Sequence, residues 1–330
     1  MSLRRVFFYK LPALRASYKR GPLLWLIEVV LKSPSLERTL DIDLSDIIIT
    51  ASNGISELTS YYGRKKIVFC STQDNANMSA ELVNNPNIHL IFDHTKALFE
   101  ASDPPAFLYL YGNRSRWLLD SRPLLPASAD ELGNDGDSDN GVAQMDAVRY
   151  NNKVKCVFNI SNFYHQSFRK VVQPLSERKY DVVFLGKTTY DLKLTELKHR
   201  IIDRIHHLGE KYNLRVLATD SVSLLEYTRI LTDSKVFVSS YGWGEFSTKE
   251  YDCINCGTHV VKSEIFFEAC PNIYAHMDSF KLDLSDFDEV VLRCLRDLPG
   301  TQTKVNMARE LVRTYHKSPP PTAEHLLIGV

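Results

Sequence analysis

The segment Ser239-Ser240-Tyr241-Gly242-Trp243-Gly244-Glu245-Phe246-Ser247-Thr248-Lys249-Glu250-Tyr251-Asp252 carries the residue types that hold a phosphorylated ligand. It ends at Gly257, and the strand-like run His259-Val260-Val261-Lys262 follows. Gly242 and Gly244 let a backbone approach an anion closely, and Ser247 has the chemistry of a helix cap. The N–H groups of the helix that starts there point at whatever sits in front of it, which favours phosphate. Lys249 adds a cation, and Asp252 adds a carboxylate able to accept hydrogen bonds from sugar hydroxyls.

Each residue also has a plainer reading. Ser247-x-x-Glu250 has capping-box spacing, in which the Glu250 carboxylate reaches back to the cap N–H and takes no part in chemistry. Asp252 either complements the helix dipole or binds a ribose, and the residues alone leave both readings open. Tyr241 and Trp243 either stack on a base or sugar or fill an apolar wall. Lys187 either neutralises phosphate or is a solvated surface residue.

These groups need strands and helices to hold them. In the second half, strands are predicted at Tyr180–Leu185, Leu214–Ala218, Lys235–Ser239 and His259–Lys262. Between them lie helices over Leu192–Tyr212, Ser223–Asp233 and Thr248–Cys256, the first with Leu194, Leu197, Ile201, Ile205 and Leu208 at helical spacing. A last helix is expected over Val305–His316, before Pro319-Pro320-Pro321. The first half offers strands at Arg5–Lys10, Asp46–Thr50, Lys66–Ser71 and Ile88–Phe92, with a helix at Leu23–Leu31. Unalternated apolar runs suit parallel strands covered on both faces. Strand–helix alternation at this pitch predicts doubly wound α/β sheets, and such sheets place ligands beyond the carboxyl ends of their strands.

A chain of 330 residues exceeds one ordinary core. Two units are expected: an acceptor-side unit over 1–170, interrupted by an acidic loop at about 126–141, and a donor-binding unit over 171–330. No internal sequence repeat is visible, so any correspondence between the halves is architectural. Lys+Arg and Asp+Glu are 40 each, which gives no overall pull toward nucleic acid. The six cysteines have no secreted-domain spacing and read as reduced thiols. Cys253-x-x-Cys256 lacks a second Cys/His pair at zinc-ribbon spacing, and Asp41-Ile42-Asp43 and Asp137-Ser138-Asp139 are poorly placed for a metal. No metal and no cofactor is therefore expected. No signal peptide or membrane span is apparent, so the expectation is a soluble, cytoplasmic protein.

The sequence Ser247-x-Lys249-x-aromatic-Asp252, four residues, Gly257 and then an apolar strand resembles the donor motif of glycosyltransferases with two Rossmann-like domains, the GT-B architecture. Exostosin-like and group-1-like branches are the nearest in pattern, and Asp181-Val182-Val183-Phe184-Leu185-Gly186-Lys187 is similar to the strand that opens their donor domain. The resemblance runs from about Tyr180 to Asp278 and implies two parallel sheets with a cleft between them. It further implies that Asp252 takes the ribose hydroxyls of a nucleotide-sugar, in the first instance a UDP-sugar. Lys249 and Lys187 would meet the diphosphate, and Gly242, Trp243, Gly244, Glu245 and Ser247 would line the phosphate loop. Retaining members carry two acids eight apart, whereas Glu245 and Asp252 are seven apart. That departure favours an inverting, metal-independent transfer to a glycan or glycoconjugate acceptor. Inversion needs a base from a strand-end loop of the first unit; Asp74 ranks first, followed by Asp93 and His94.

Two rivals remain. One is a two-lobed binding protein without chemistry; the other is a sugar-nucleotide epimerase of the same architecture. A nicotinamide oxidoreductase is disfavoured because Gly242-x-Gly244 lacks the third glycine of a dinucleotide fingerprint.

Overall fold

The computed structural model describes residues 3–9, 26–27, 30–51, 55–70, 85–93, 95–97, 154–156, 172–189, 192–241, 247–265, 267–269, 271–317 and 327–328. Its strands are β1 (Arg4–Tyr9), β2 (Leu36–Arg38), β3 (Ile47–Ala51), β4 (Lys66–Cys70), β5 (Ile88–Asp93), β6 (Thr95–Ala97), β7 (Val154–Cys156), β8 (Tyr180–Leu185), β9 (Val216–Thr219), β10 (Ser234–Ser239), β11 (His259–Ser263), β12 (Phe267–Ala269) and β13 (Asp278–Phe280). Its α-helices are α1 (Leu192–Tyr212), α2 (Leu224–Thr232), α3 (Thr248–Cys256), α4 (Phe287–Arg296) and α5 (Leu298–Lys317).

Two parallel sheets form. One has six strands in the order β2-β1-β3-β4-β5-β7, and the other has five in the order β13-β11-β10-β8-β9. Counted from its own first strand, each sheet runs second-first-third inward from one edge, so the two halves share a winding although their sequences show no repeat. A short antiparallel pair, β6 with β12, links the halves, with Lys96 opposite Glu268.

Alternation along the strands of the second sheet explains its layers. Val182, Phe184, Val236, Val238 and Val261 face one way and pack with Leu197, Ile201, Ile205 and Leu208 of α1 and with Val290, Val291 and Cys294 of α4. Val183, Leu185, Phe237 and Val260 face the other way, against Ile230 and Leu231 of α2 and Cys253 and Cys256 of α3. Both faces are covered, which is why the runs carry no polar residue at alternate positions. Cys253 and Cys256 are buried free thiols in this second layer. Burial drives the Cys253 thiol far above its usual value, which leaves it inert.

Two expectations shift. β9 begins two residues later than its apolar run, because Asn213 takes a left-handed conformation (φ 52°) and the Leu214 N–H returns to the Gly209 carbonyl at 3.0 Å. Leu214 therefore belongs to the stop of α1. α5 begins at Leu298 rather than Val305: Pro299 and Gly300 fall in its first turn, where both are tolerated, and Asp297 Oδ1 accepts from the Gly300 N–H at 3.0 Å. The described residues of the helix expected over Leu23–Leu31, 26–27 and 30–31, are helical, and the acidic stretch 126–141 lies outside the described residues.

A third cluster joins the halves. Val6, Leu36, Ile47, Ile49 and Val68 of the first sheet share one apolar core with Tyr251 and Ile254 of α3, with Ala308 and Val312 of α5, and with Ile273 and Leu327.

Candidate functional site

The winding of the second sheet reverses between β8 and β10, and open α/β sheets bind ligands outside the strand ends at such a reversal. The loop after β8 starts at Gly186 and Lys187, and the segment after β10 leads to α3. The two stretches singled out from sequence thus meet at one place.

α3 starts as expected. Ser247 is extended (φ −123°, ψ 127°), and its hydroxyl accepts from the Lys249 N–H at 3.3 Å. The helix ends at Gly257 in the left-handed conformation (φ 71°, ψ 29°), with the Thr258 N–H on the Cys253 carbonyl at 2.8 Å. Lys249, in the first turn, reaches across to β8 and donates to the Leu185 carbonyl at 2.8 Å. Its ammonium lies so close over Gly186 that a methyl there would overlap Nζ. Burial lowers its pKa, while the Cys253 side chain and the Asp252 carboxylate oppose that shift. Asp252 stands three residues further on the same helical face, half-buried, and accepts from the Tyr227 hydroxyl of α2 at 3.1 Å. The Tyr227 phenol is pushed up, first by burial and then by the Asp252 charge, so it remains a donor to that carboxylate.

Glu250 does not close a capping box. Its side chain is fully buried and turned inward, accepting from the Ser239 hydroxyl at 3.0 Å and pairing with Lys262 at the end of β11. The backbone N–H of Glu250 bonds to the Ser247 carbonyl, so the cap works through serine alone. Position 250 faces the sheet, and a buried ammonium there is a stronger partner for a carboxylate than a solvated N–H. Lys262 in turn lies over the rings of Tyr241 and Tyr274, at 5.4 and 5.7 Å. The hydroxyl of Tyr241 donates to the Glu264 carbonyl, so this aromatic ring is wall rather than a free stacking surface.

Lys198 was not anticipated. It occupies the apolar stripe of α1, between Leu194 and Ile201, is 5% exposed, and holds its ammonium 5.7 Å from the Phe184 ring centre. Its pKa falls to about 7, first through burial and then through the nearby charges of Lys249 and Lys262. The signal was present in the sequence: a lysine at a position that every neighbouring turn fills with Leu or Ile.

The other expected residues scatter. Lys187 is exposed just past β8. Asp93 is the last residue of β5, opposite Cys156 of β7, at the carboxyl end of the first sheet. Asp74, His94, Gly242, Trp243, Gly244 and Glu245 lie outside the described residues.

Among the described residues, the one cluster with metal-ligand chemistry is His259, Asp278 and Cys294. It sits where β11 and β13 begin, at the opposite end of the sheet from Lys262. Lys304 holds both Asp278 oxygens at 2.8 and 2.7 Å, Arg293 adds 3.3 Å, and His259 Nε2 lies 2.8 Å from Oδ2. The Cys294 thiol is pushed up to about 12, chiefly by burial. Protonated sulfur and an ammonium already on the carboxylate make this an ion cluster that ties α4 and α5 to the sheet.

No protein family matches the chain, and no curated protein matches it in sequence. Solved structures similar in shape include an alpha-glucosyltransferase in complex with UDP-glucose and DNA containing an abasic site (11% identity, 99% of each chain, TM-score 0.46). Another is Anabaena HepE in complex with UDP-glucose (10%, 99% of this chain and 100% of that one, 0.45). A third is a putative UDP-N-acetylglucosamine 2-epimerase from Listeria monocytogenes (10%, 96% of each, 0.44). At such identities and TM-scores they carry no argument about activity. Among the described residues, no helix is long and apolar enough to cross a membrane.

Proposed function

We propose that the chain is a glycosyltransferase that takes its sugar from a nucleotide donor, in the first instance a UDP-sugar. The observation that supports this most is the pairing of Lys249 and Asp252 on one face of the first turns of α3, at the winding reversal of the second sheet. A helix N-terminus with a lysine suits a diphosphate, and a carboxylate one turn on suits ribose hydroxyls. Lys187 and the segment 242–247 complete the donor site in this reading.

In the transfer, an acceptor hydroxyl oxygen bonds to the anomeric carbon as the bond from that carbon to the diphosphate oxygen breaks. The lysines and the helix N-terminus meet the charge that develops on the leaving group. The acceptor proton passes to a carboxylate or imidazole of the 1–170 unit, with Asp74, Asp93 and His94 as the assigned candidates. The transfer is inverting and independent of metal, and the acceptor is a glycan or glycoconjugate.

The test is a thermal-shift and hydrolysis screen of the full chain with UDP-, GDP- and CMP-sugars, repeated with Asp252→Ala. One nucleotide class should raise the melting temperature and be slowly hydrolysed, and Asp252→Ala should weaken its binding about tenfold to a hundredfold. A shift without turnover, with every acceptor tried, would leave a binding protein; conversion of the sugar without an acceptor would mark an epimerase. No shift with any nucleotide sugar would end the donor-site reading.

A further inference from the structure

α2 and α3 both start at the carboxyl end of the second sheet, one after β9 and the other after β10. Tyr227 and Asp252 each stand about one turn into these helices, and the Tyr227 hydroxyl donates to Asp252 Oδ2 at 3.1 Å. Local sequence fixes the donor's side of this contact. The Ser223 hydroxyl accepts from the Glu226 N–H at 3.2 Å, and the Tyr227 N–H bonds to the Ser223 carbonyl at 2.8 Å. The Tyr227 ring packs against the apolar layer that contains Val183, Leu185, Ile230 and Leu231. Asp252 is half-buried, and the last torsion of an aspartate is broad, so the plane of its carboxylate is set by its partners.

A phenol suits that task. Burial and the Asp252 charge keep the Tyr227 hydroxyl protonated, so it acts on this carboxylate as a donor. Being neutral, it orients the carboxylate without cancelling its charge, unlike the ammonium groups that meet Glu250 and Asp278. A binding group whose orientation is locked by a packed neighbour loses less freedom when its ligand arrives.

We propose that Tyr227 is a positioning residue of the donor site: it holds the Asp252 carboxylate in the orientation that accepts the ribose hydroxyls, and so sets the preference for a ribonucleotide. The inference rests on the nucleotide-sugar reading and adds a residue outside the donor motif, on a different helix. Tyr227 acts through Asp252 and does not itself touch the nucleotide.

Isothermal titration of the full chain with UDP and with 2′,3′-dideoxy-UDP tests this in wild type, Tyr227→Phe, Asp252→Ala and the double variant. Tyr227→Phe keeps the ring in its apolar layer, and far-UV circular dichroism melts establish that each variant folds. Wild type should prefer UDP by about tenfold to a hundredfold, the worth of hydrogen bonds to a charged acceptor. Tyr227→Phe should bind UDP about threefold to tenfold more weakly and the dideoxy nucleotide within about twofold of wild type, so the preference narrows. In the Asp252→Ala background, Tyr227→Phe should change UDP affinity by less than about twofold. An undiminished preference in Tyr227→Phe would make the contact a plain bond between helices, overturning the proposal and leaving the donor reading intact. A further loss of UDP affinity in the double variant would overturn the role through Asp252. Equal binding of both nucleotides by wild type would remove the ribose from Asp252, and the proposal with it, while nucleotide binding stands. Failure of UDP to bind at all overturns both readings.

Discussion

Exchanging Glu250 and Lys262 for uncharged residues, singly and together, tests whether the site is supported by a buried ion pair. Neither side chain reaches water: Glu250 is 0% and Lys262 2% exposed. Lys262→Met keeps an apolar stem between Tyr241 and Tyr274, so little packing is lost, but the Glu250 carboxylate loses its ammonium partner. Removing one partner of a buried pair costs about 3–5 kcal/mol, because the remaining charge is uncompensated. Glu250→Gln should cost about as much by removing the buried charge that balances the Lys262 ammonium. The double variant strands neither charge and keeps an acceptor for Ser239, so it should lie within about 2 kcal/mol of wild type. The expected coupling is at least about 2 kcal/mol, beyond the usual error of additivity. Urea unfolding followed by circular dichroism supplies the four stabilities. Single variants that each cost under about 1 kcal/mol, or a double variant equal to their sum, would refute the argument.

Gly186→Ala should displace the Lys249 ammonium from the Leu185 carbonyl, and because Gly186 has a positive φ of 156° that an L side chain strains, it should lower the melting temperature as well; nucleotide titration should show weaker binding. Arg178 is 1% exposed and donates to the Gln173, Ser234 and Cys256 carbonyls and the Thr258 hydroxyl at 2.8–3.1 Å. Arg178→Ala should therefore cost about 4 kcal/mol or more in urea unfolding, with Arg178→Lys intermediate because it lacks the planar fork. Asp278 is held well below the usual carboxylate range, chiefly by its hydrogen bond with His259 and also by Lys304. A depressed carboxylate contributes stability above its unfolded value of about 3.9 and loses it as pH falls further. Stability measured from pH 5 down to pH 2 should thus drop less steeply in Asp278→Asn, and an unchanged slope would count against the ion cluster.

Much of the second sheet was legible because its strands are buried on both faces and read as unbroken apolar runs. β8, α3 and the stop at Gly257 were anticipated to within a residue, since cap and stop chemistry is local. β2, β6, β7, β12 and β13 were missed, all three residues long, too short for any period to register. The inward turn of Glu250 was hidden for another reason: its partner Lys262 comes from a different strand, and spacing along the chain says nothing of that encounter. Lys198 breaks a regular stripe of Leu and Ile, a local signal in the sequence that the surrounding apolar period outweighs.

The shared core of β1 and α5 bears on how the protein is made. A ribosome releases the strands of the first sheet long before it has built the residues that help to cover them, Ala308, Val312 and Leu327. The nascent first half must then wait, with apolar surface uncovered, until the last helix has been translated. Chains cut short before Leu298 should therefore be chaperone clients and aggregate, even though every strand of both sheets has been synthesised.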